Sequence, residues 1–176
     1  PAVFAEFQAR MWRSLQGRRA DQYIQGKLQE RAQRHRRYGG SVYLQEPHVK
    51  EGPGGLRDFH AALWVARARH HLEDVAQLPG LGCLSPVELH QCLQSLDFLL
   101  RVRSELHYLC GGKQDVLTLP LQVPAASALG FPDGTTFGVE RFMQYFLRAG
   151  ALHQLSQRLV RRCAARPGSH VEAVMK

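Results

Sequence analysis

The sequence predicts an all-α protein, a helical bundle of about five to six helices with one Gly/Pro-rich loop and at most a very short strand. Two observations support this fold class. Apolar residues recur at helical spacing through most of the 176 residues. In addition, Ser85-Pro86-Val87-Glu88 is a capping box with proline at the first helical position, the clearest helix start in the chain.

The first two helices are expected on either side of Gly17. The second runs over residues 20–37 and ends in a basic stretch, residues 31–37, which suits the negative end of a helix dipole. This stretch is either a solvated face or a contact for an anion or a partner, with Arg34 and Arg37 as candidates. The residues expected on the apolar sides of these helices are Phe4, Phe7, Met11, Trp12 and Leu15, then Tyr23, Ile24, Leu28 and Ala32.

Four further helices are expected after the Gly39-Gly40 break. Residues 41–44 could form a very short strand, and a third helix begins at about Leu56, after a Gly/Pro-rich loop. A fourth runs from the capping box to about Cys110. Between residues 117 and 130, two prolines predict a shorter, kinked helix. A turn at residues 131–134 precedes a last long helix starting near Val139. Its predicted apolar side is Phe142, Met143, Phe146, Leu147, Leu155, Leu159 and Val160. We expect residues 1–19 to be an N-terminal helix or linker from an upstream domain, 20–166 the helical domain and 167–176 a flexible tail.

Residues 46–58 form the most constrained segment of the chain. Thirteen residues contain two prolines, three glycines and five charged side chains, so the backbone path is specified. The segment ends at a helix N-terminus, where free amides and the dipole favour an anion. Lys50, Arg57 and the Gly54-Gly55 turn could therefore hold phosphate oxygens, with Asp58 in the first helical turn, where it would cap the helix and orient Arg57. The alternative is a structural turn that wedges one part of the fold against another.

Other charged residues allow two interpretations each. Glu46 and Glu51 could serve as metal ligands or a general base, or could form salt bridges to Lys50 and Arg57. Arg101 and Arg103 on the fourth helix mark either its solvent edge or a groove beside the loop.

Metal binding is not predicted by the histidines or the cysteines. Adjacent histidines such as His70 and His71 point about 100° apart on a helix and do not converge on one ion. The four cysteines lack C-x-x-C or zinc spacing, and we expect reduced, packed thiols in a cytoplasmic protein.

The formal net charge of +8 and the pI of about 9.8 indicate an acidic partner. Nucleic acid is not expected, because exposed aromatics are not interleaved with the basic residues, and no apolar run reaches transmembrane length. The chain begins with Pro1 rather than methionine, so we expect it to be a piece of a longer protein.

Motifs of a complete active site are missing from the sequence. There is no D-x-D, no His-Asp pair, no G-x-S-x-G and no Walker A pattern. No catalytic residue is therefore assigned within this chain.

The loop and its flanks resemble bacterial PII uridylyltransferases, the bifunctional uridylyltransferase/uridylyl-removing enzymes of nitrogen sensing. The similarity extends over residues 20–159. The matching motifs are Glu46-Pro47-x-Val49-Lys50-Glu51-Gly52-Pro53-Gly54-Gly55-Leu56-Arg57-Asp58, Arg34-His35-x-Arg37-Tyr38, Trp64-Val65-Ala66-Arg67, and the run from Phe98 to Leu109.

The resemblance implies an enzyme that moves UMP from UTP onto a tyrosine of the PII signalling protein, with Mg²⁺ and under glutamine control. It implies that this chain is the helical module following the nucleotidyltransferase domain, with no cofactor bound tightly by the module itself. The expected partners are that upstream domain and PII, with no nucleic acid and no membrane. Glu46, Lys50, Gly54, Gly55, Arg57 and Asp58 are then expected at the nucleotide or at the domain seam.

Two positions depart from the family pattern. His48 stands where the family usually has Asn or Asp, and Gln45 where it usually has Leu. The alternatives are a non-catalytic interaction module and part of a glutamine synthetase adenylyltransferase-like enzyme, whose motif is a looser version of the same loop.

Overall fold

The computed structural model describes residues 2–131 and 137–164, and within these ranges the chain is an all-α bundle, as the sequence predicts. The expected turn at 131–134 lies largely outside the described residues, as does the expected tail at 167–176. The helices are α1 (Ala2–Ser14), α2 (Arg18–Arg37), α3 (Leu56–His70), α4 (Pro86–Leu109), α5 (Leu119–Ala128) and α6 (Phe137–Ala164), with a 3₁₀ turn at Val75–Gln77.

Helix α3 is the centre of the bundle. It packs most extensively against α6 and α2, and α4 also packs against α6. More than half of the α3 side chains are buried, and several are small, which lets the neighbouring helices approach closely. These buried residues are Leu56, Asp58, Phe59, Ala62, Leu63, Val65, Ala66 and Ala68.

The helix ends follow from local sequence. Ser85 accepts a hydrogen bond from the Glu88 amide, and the Glu88 carboxylate accepts one from the Ser85 amide, so the predicted capping box is present. Helix α4 ends at Leu109, and Gly111 follows with a φ of +61°, a conformation that favours glycine. Helix α5 has no side-chain cap of its own. The Glu46 carboxylate, 73 residues earlier, accepts from the Leu119 amide at 2.9 Å instead.

Four local predictions were wrong. Phe7, expected on the apolar side of α1, is 62% exposed. Residues 41–44 form no strand; the extended pairing described is one antiparallel bridge between His48 and Val116. Ala32 is exposed, because the inner side of α2 passes through Arg31 and His35. Leu147 is 58% exposed, since α6 turns a different face inward. That buried face is Tyr145, Ala149, Leu152, Leu155, Ser156, Leu159, Val160 and Cys163.

Gly54 fixes how closely the loop approaches α6. Its φ is +72°, and a Cβ on it would lie 2.3 Å from the Ala149 carbonyl oxygen. Any other residue would therefore strain the backbone and push the loop away from α6. Gly111 has a similar φ, but a Cβ there would meet nothing within 4 Å.

We predict that Gly54→Ala lowers the free energy of unfolding by about 3 kcal/mol, from left-handed strain together with overpacking. Gly111→Ala, the matched control, should cost about 1 kcal/mol from the backbone strain alone. Urea denaturation of both variants measures the difference. Equal losses would show that the contact with Ala149 contributes nothing.

A candidate nucleotide or domain-seam surface around a buried aspartate

The loop of residues 46–58 is tied down at both ends by backbone hydrogen bonds. The Val49 amide donates to the Asp115 carbonyl at 2.8 Å, and the Leu117 amide donates to the Pro47 carbonyl at 3.0 Å. At the other end, the Leu56 and Arg57 amides donate to the Val49 and Lys50 carbonyls. The loop therefore folds back on the first turn of α3 and joins it to the α4–α5 connection.

This folding uses the amides that were expected to be free for an anion. The Gly55 amide donates to the Gly52 carbonyl, and the Gly54 amide donates to Asp58 Oδ2 at 2.9 Å. Both glycines are buried within the chain. A phosphate cradle made of these amides would have to break these bonds, so the structure favours the packing interpretation for Gly54 and Gly55.

Asp58 is the anion that this helix N-terminus receives. Its carboxylate is fully buried and bonded to side chains of two other helices. From α2, Arg34 Nη2 and His35 Nε2 each lie 2.7 Å from Oδ1, and Arg31 Nε lies 3.3 Å from it. From α6, His153 Nδ1 lies 3.2 Å from Oδ2. We call these five residues the Asp58 cluster. It joins α2, α3 and α6 through one carboxylate.

The partners keep this buried carboxylate ionised. Burial raises the pKa of Asp58, but hydrogen bonds from His153 and His35 and the charge of Arg31 lower it by more. The pKa is therefore far below its usual range. The basic stretch of α2 is thus divided between an inward face, which binds Asp58, and an exposed face. Arg31, Arg34 and His35 share one helix face and turn inward, while Arg36 and Arg37 are exposed.

Glu51 and Arg57 pair with each other at the surface. Arg57 Nε lies 3.6 Å from Glu51 Oε1, and Lys50 Nζ and Arg34 Nε lie 3.9 Å from the same carboxylate group. Arg57 is therefore oriented by Glu51, and not by Asp58 as expected. For Glu51, the salt-bridge interpretation agrees with the structure.

Arg57 lies at the edge of two neighbouring concavities. One, of about 380 Å³, also has Lys50, His60 and Arg103 in its wall, with Trp64 beside them. The other, of about 550 Å³, is lined by Glu30, Gln33, Arg34, Arg37, Tyr38, Glu51 and Arg57. We call the two together the cationic surface. Their volumes fall in the range of small-molecule sites.

Arg103 is held in this surface by Asp115. Its Nε lies 2.6 Å from Asp115 Oδ1, and His107 Nε2 lies 3.2 Å from the same oxygen. Burial raises the pKa of Asp115, but the bonds from Arg103 and His107 lower it more, so the carboxylate stays ionised. Arg101 is exposed on α4 and does not line either concavity.

His48 accepts a hydrogen bond within the loop, as the side chain of an Asn or Asp at this position could. Its Nδ1 accepts a hydrogen bond from the Glu51 amide at 3.0 Å, and its ring packs edge-on against Tyr38 with centroids 4.6 Å apart. Burial lowers the pKa of His48, which keeps a neutral ring with an acceptor nitrogen. The departure from the family pattern therefore preserves the turn.

Comparison with known proteins decides the family. The profile of the GlnD PII-uridylyltransferase family matches residues 22–160, about four fifths of the chain. The chain belongs to this family. Three similar proteins are each named bifunctional uridylyltransferase/uridylyl-removing enzyme. The one from Rhodospirillum rubrum is 36% identical over 158 residues, or 89% of this chain. Those from Novosphingobium aromaticivorans and Ruegeria pomeroyi are 39% identical over 145 residues (82% of this chain) and 40% identical over 138 residues (77% of this chain).

The match covers only a small part of each relative. The aligned region is 17%, 16% and 15% of these three proteins, so the chain corresponds to about a sixth of their length. No solved structure matches the chain. None of the described helices combines the length and the apolar character needed to cross a bilayer.

Sequence reasoning missed two features of this family member. It treated Asp58 as a helix-dipole residue and did not foresee its bonds to α2 and α6. A signal was present, since Arg31, Arg34 and His35 are spaced i, i+3, i+4 and must share a face. It also missed the convergence of Cys83 and Cys163, which stand 80 residues apart and whose meeting depends on the packing of α6.

We predict that Asp58→Asn lowers the free energy of unfolding by about 3–5 kcal/mol, because it leaves buried guanidinium groups without a counter-charge. Asp97→Asn, on the exposed face of α4, is the control and should change it by less than about 0.5 kcal/mol. Urea titration at neutral pH measures both. A small effect at Asp58 would mean that the cluster does not carry the packing of α2 and α6.

The same carboxylate predicts an acid dependence of stability. Because the folded pKa of Asp58 is depressed, its contribution is complete at neutral pH. It is lost progressively as the pH falls below about 5, where the unfolded chain takes up the proton first. The unfolding free energy of the wild type should therefore fall more steeply between about pH 5 and pH 2 than that of Asp58→Asn. Parallel profiles would contradict this assignment.

Proposed function

We propose that this chain is the helical part of a PII uridylyltransferase and supports the transfer of UMP from UTP to a tyrosine of the PII protein. In this proposal the catalytic acids lie in an upstream nucleotidyltransferase domain, which would bring Mg²⁺ and UTP. The module packs against that domain and closes one side of its cleft. Family membership supports the reaction class, and the cationic surface supports the role of this module.

The single observation that carries the proposal is the position of Arg57 between two concavities whose walls carry more positive than negative side chains. Four other cationic side chains that the sequence named as candidates line the same concavities: Lys50, Arg34, Arg37 and Arg103. A triphosphate carries several negative charges, and arginine forks match phosphate oxygens well. The surface also suits a seam with an acidic domain face, which the same side chains would hold.

The cluster beneath the surface gives it a fixed geometry. Arg34 is anchored to Asp58 at one side, Arg103 is anchored to Asp115 at the other, and Lys50 is on the loop between them. Side chains held in this way lose little conformational freedom on binding, so more of their interaction energy appears as affinity. The proposed role is therefore one of positioning and charge stabilisation, without a covalent step on this chain.

We predict that Lys50→Ala and Arg57→Ala in the full-length enzyme reduce kcat/KM for UTP about tenfold each, since a hydrogen bond to a charged group is worth about 1.5–3 kcal/mol. Lys113→Ala, an exposed lysine after α4, is the charge-matched control. If the residues serve the seam between the domains instead, the melting temperature falls while kcat/KM for UTP stays unchanged. Unchanged kinetics and unchanged stability would overturn both assignments.

Labelling of PII tests the division of labour. PII is incubated with Mg²⁺ and UTP, either with this chain alone or with a chain extended upstream through the proposed nucleotidyltransferase domain, and its mass is measured. Labelling only by the longer chain supports the proposal. Labelling by this chain alone would reveal catalytic acids within it, with Glu46, Glu51 and Asp58 the first to test. Labelling by neither would favour a non-catalytic interaction module.

A further inference from the structure

A second cluster of reactive side chains lies at the other end of α3, away from the cationic surface. His70 is the last residue of α3, Cys83 lies in the connection to α4, and Cys163 lies near the end of α6. The two sulfur atoms are 3.2 Å apart, and His70 Nε2 lies 3.5 Å from Cys83 Sγ. All three possible ligand atoms lie within 4.8 Å of one another. We call these residues the thiol cluster.

The ligand set can capture a metal ion by releasing protons. His70 Nε2 faces Cys83 Sγ, and Cys83 Sγ faces Cys163 Sγ, so the three donor atoms lie next to one another. A bound cation would displace the thiol protons.

Two arginines frame the cluster and reduce the cost of forming thiolates. Arg69 Nε donates to the Cys163 carbonyl at 3.0 Å, and Arg162 Nη1 donates to the Cys83 carbonyl at 3.0 Å. Each arginine also has an acid: Asp21 lies 2.8 Å from Arg69, and Glu88 lies 3.6 Å from Arg162. Glu88 is shared with Arg158, so the surroundings carry one more positive than negative charge, which favours thiolates. Two thiolates with one divalent ion would leave the buried centre itself neutral.

We propose that His70, Cys83 and Cys163 form a zinc site, with water as the fourth ligand. Binding would form two Zn–S bonds and one Zn–N bond and release two thiol protons. In a tetrahedral zinc site the ligand atoms lie roughly 3.5–3.8 Å apart, as follows from the usual Zn–S and Zn–N lengths. The observed 3.2 and 3.5 Å separations are close to these values, and the third, between Cys163 Sγ and His70 Nε2, is no more than 4.8 Å.

The ligand types select the metal. Thiolate and imidazole suit zinc, whereas Mg²⁺ and Ca²⁺ take oxygen ligands. A disulfide between the two cysteines would account for the closeness of the sulfurs but not for the imidazole beside them. A bound ion would join the end of α3, the connection to α4 and the end of α6. The inference does not depend on the proposed function, and it replaces the expectation from sequence that no metal site is present.

The test uses the full chain, reduced and stripped of metal, titrated with Zn²⁺ and with Co²⁺ as a spectroscopic substitute. We expect one equivalent to bind, with an absorption band from thiolate to cobalt, and a rise in melting temperature. Lower pH should weaken binding, because protons compete for the sulfurs. Cys83→Ser, Cys163→Ser and His70→Asn should each weaken binding by at least about tenfold, the size of effect seen even for residues behind metal ligands.

Cys92→Ser is the matched control, because Cys92 is 1% exposed on α4 and belongs to neither cluster. It should bind like the wild type. Circular dichroism identifies any variant that does not fold, and His70→Asn then still tests the site, since this position is only half-buried. Cobalt binding without a thiolate band, or equal affinities for the ligand variants and the control, would overturn the proposal. So would a reduced chain that takes up no metal but links Cys83 to Cys163 on mild oxidation.

Discussion

One buried carboxylate organises the helices around α3. Asp58 accepts hydrogen bonds from α2, from the loop before α3 and from α6, so three separate parts of the chain share one anion. A buried ionised carboxylate is strongly destabilising when any of its charged partners is removed. The arrangement therefore specifies where α2 and α6 must lie relative to α3, more sharply than apolar packing alone, which tolerates substitution and small shifts.

The same constraint explains the composition of the loop. Gly54 must bring its amide to Asp58 while passing next to the Ala149 carbonyl, and only a residue without a Cβ can do both. The loop amides are then used internally, which moves any role in ligand binding from the backbone to the side chains. Lys50, Arg57 and Arg103 remain at the surface, supported from beneath by Glu51 and Asp115.

The two ends of α3 carry different chemistry. Its N-terminus meets the Asp58 cluster and the cationic surface, which suit anionic ligands or an acidic domain face. Its C-terminus meets the thiol cluster, which suits a soft cation. Helix α6 contacts both, through His153 near its middle and Cys163 near its C-terminal end. The contacts of each cluster therefore hold α6 against α3.

Local chemistry made most of the helices predictable. Four features act within a few residues and are readable without the fold: the capping box at Ser85, the glycines after α4, the apolar spacing of α3 and the glycine and proline content of the loop. The loop motif, which is dense and specific, also indicated the family. Other features depend on how the helices pack: the inward turn of Arg31 and His35, the exposure of Ala32 and Leu147, the capping of α5 by Glu46 and the meeting of Cys83 with Cys163. Each depends on the rotation of a helix about its axis or on a contact across many residues. Such contacts are set by the packing of the whole bundle, because no local interaction energy distinguishes their alternatives.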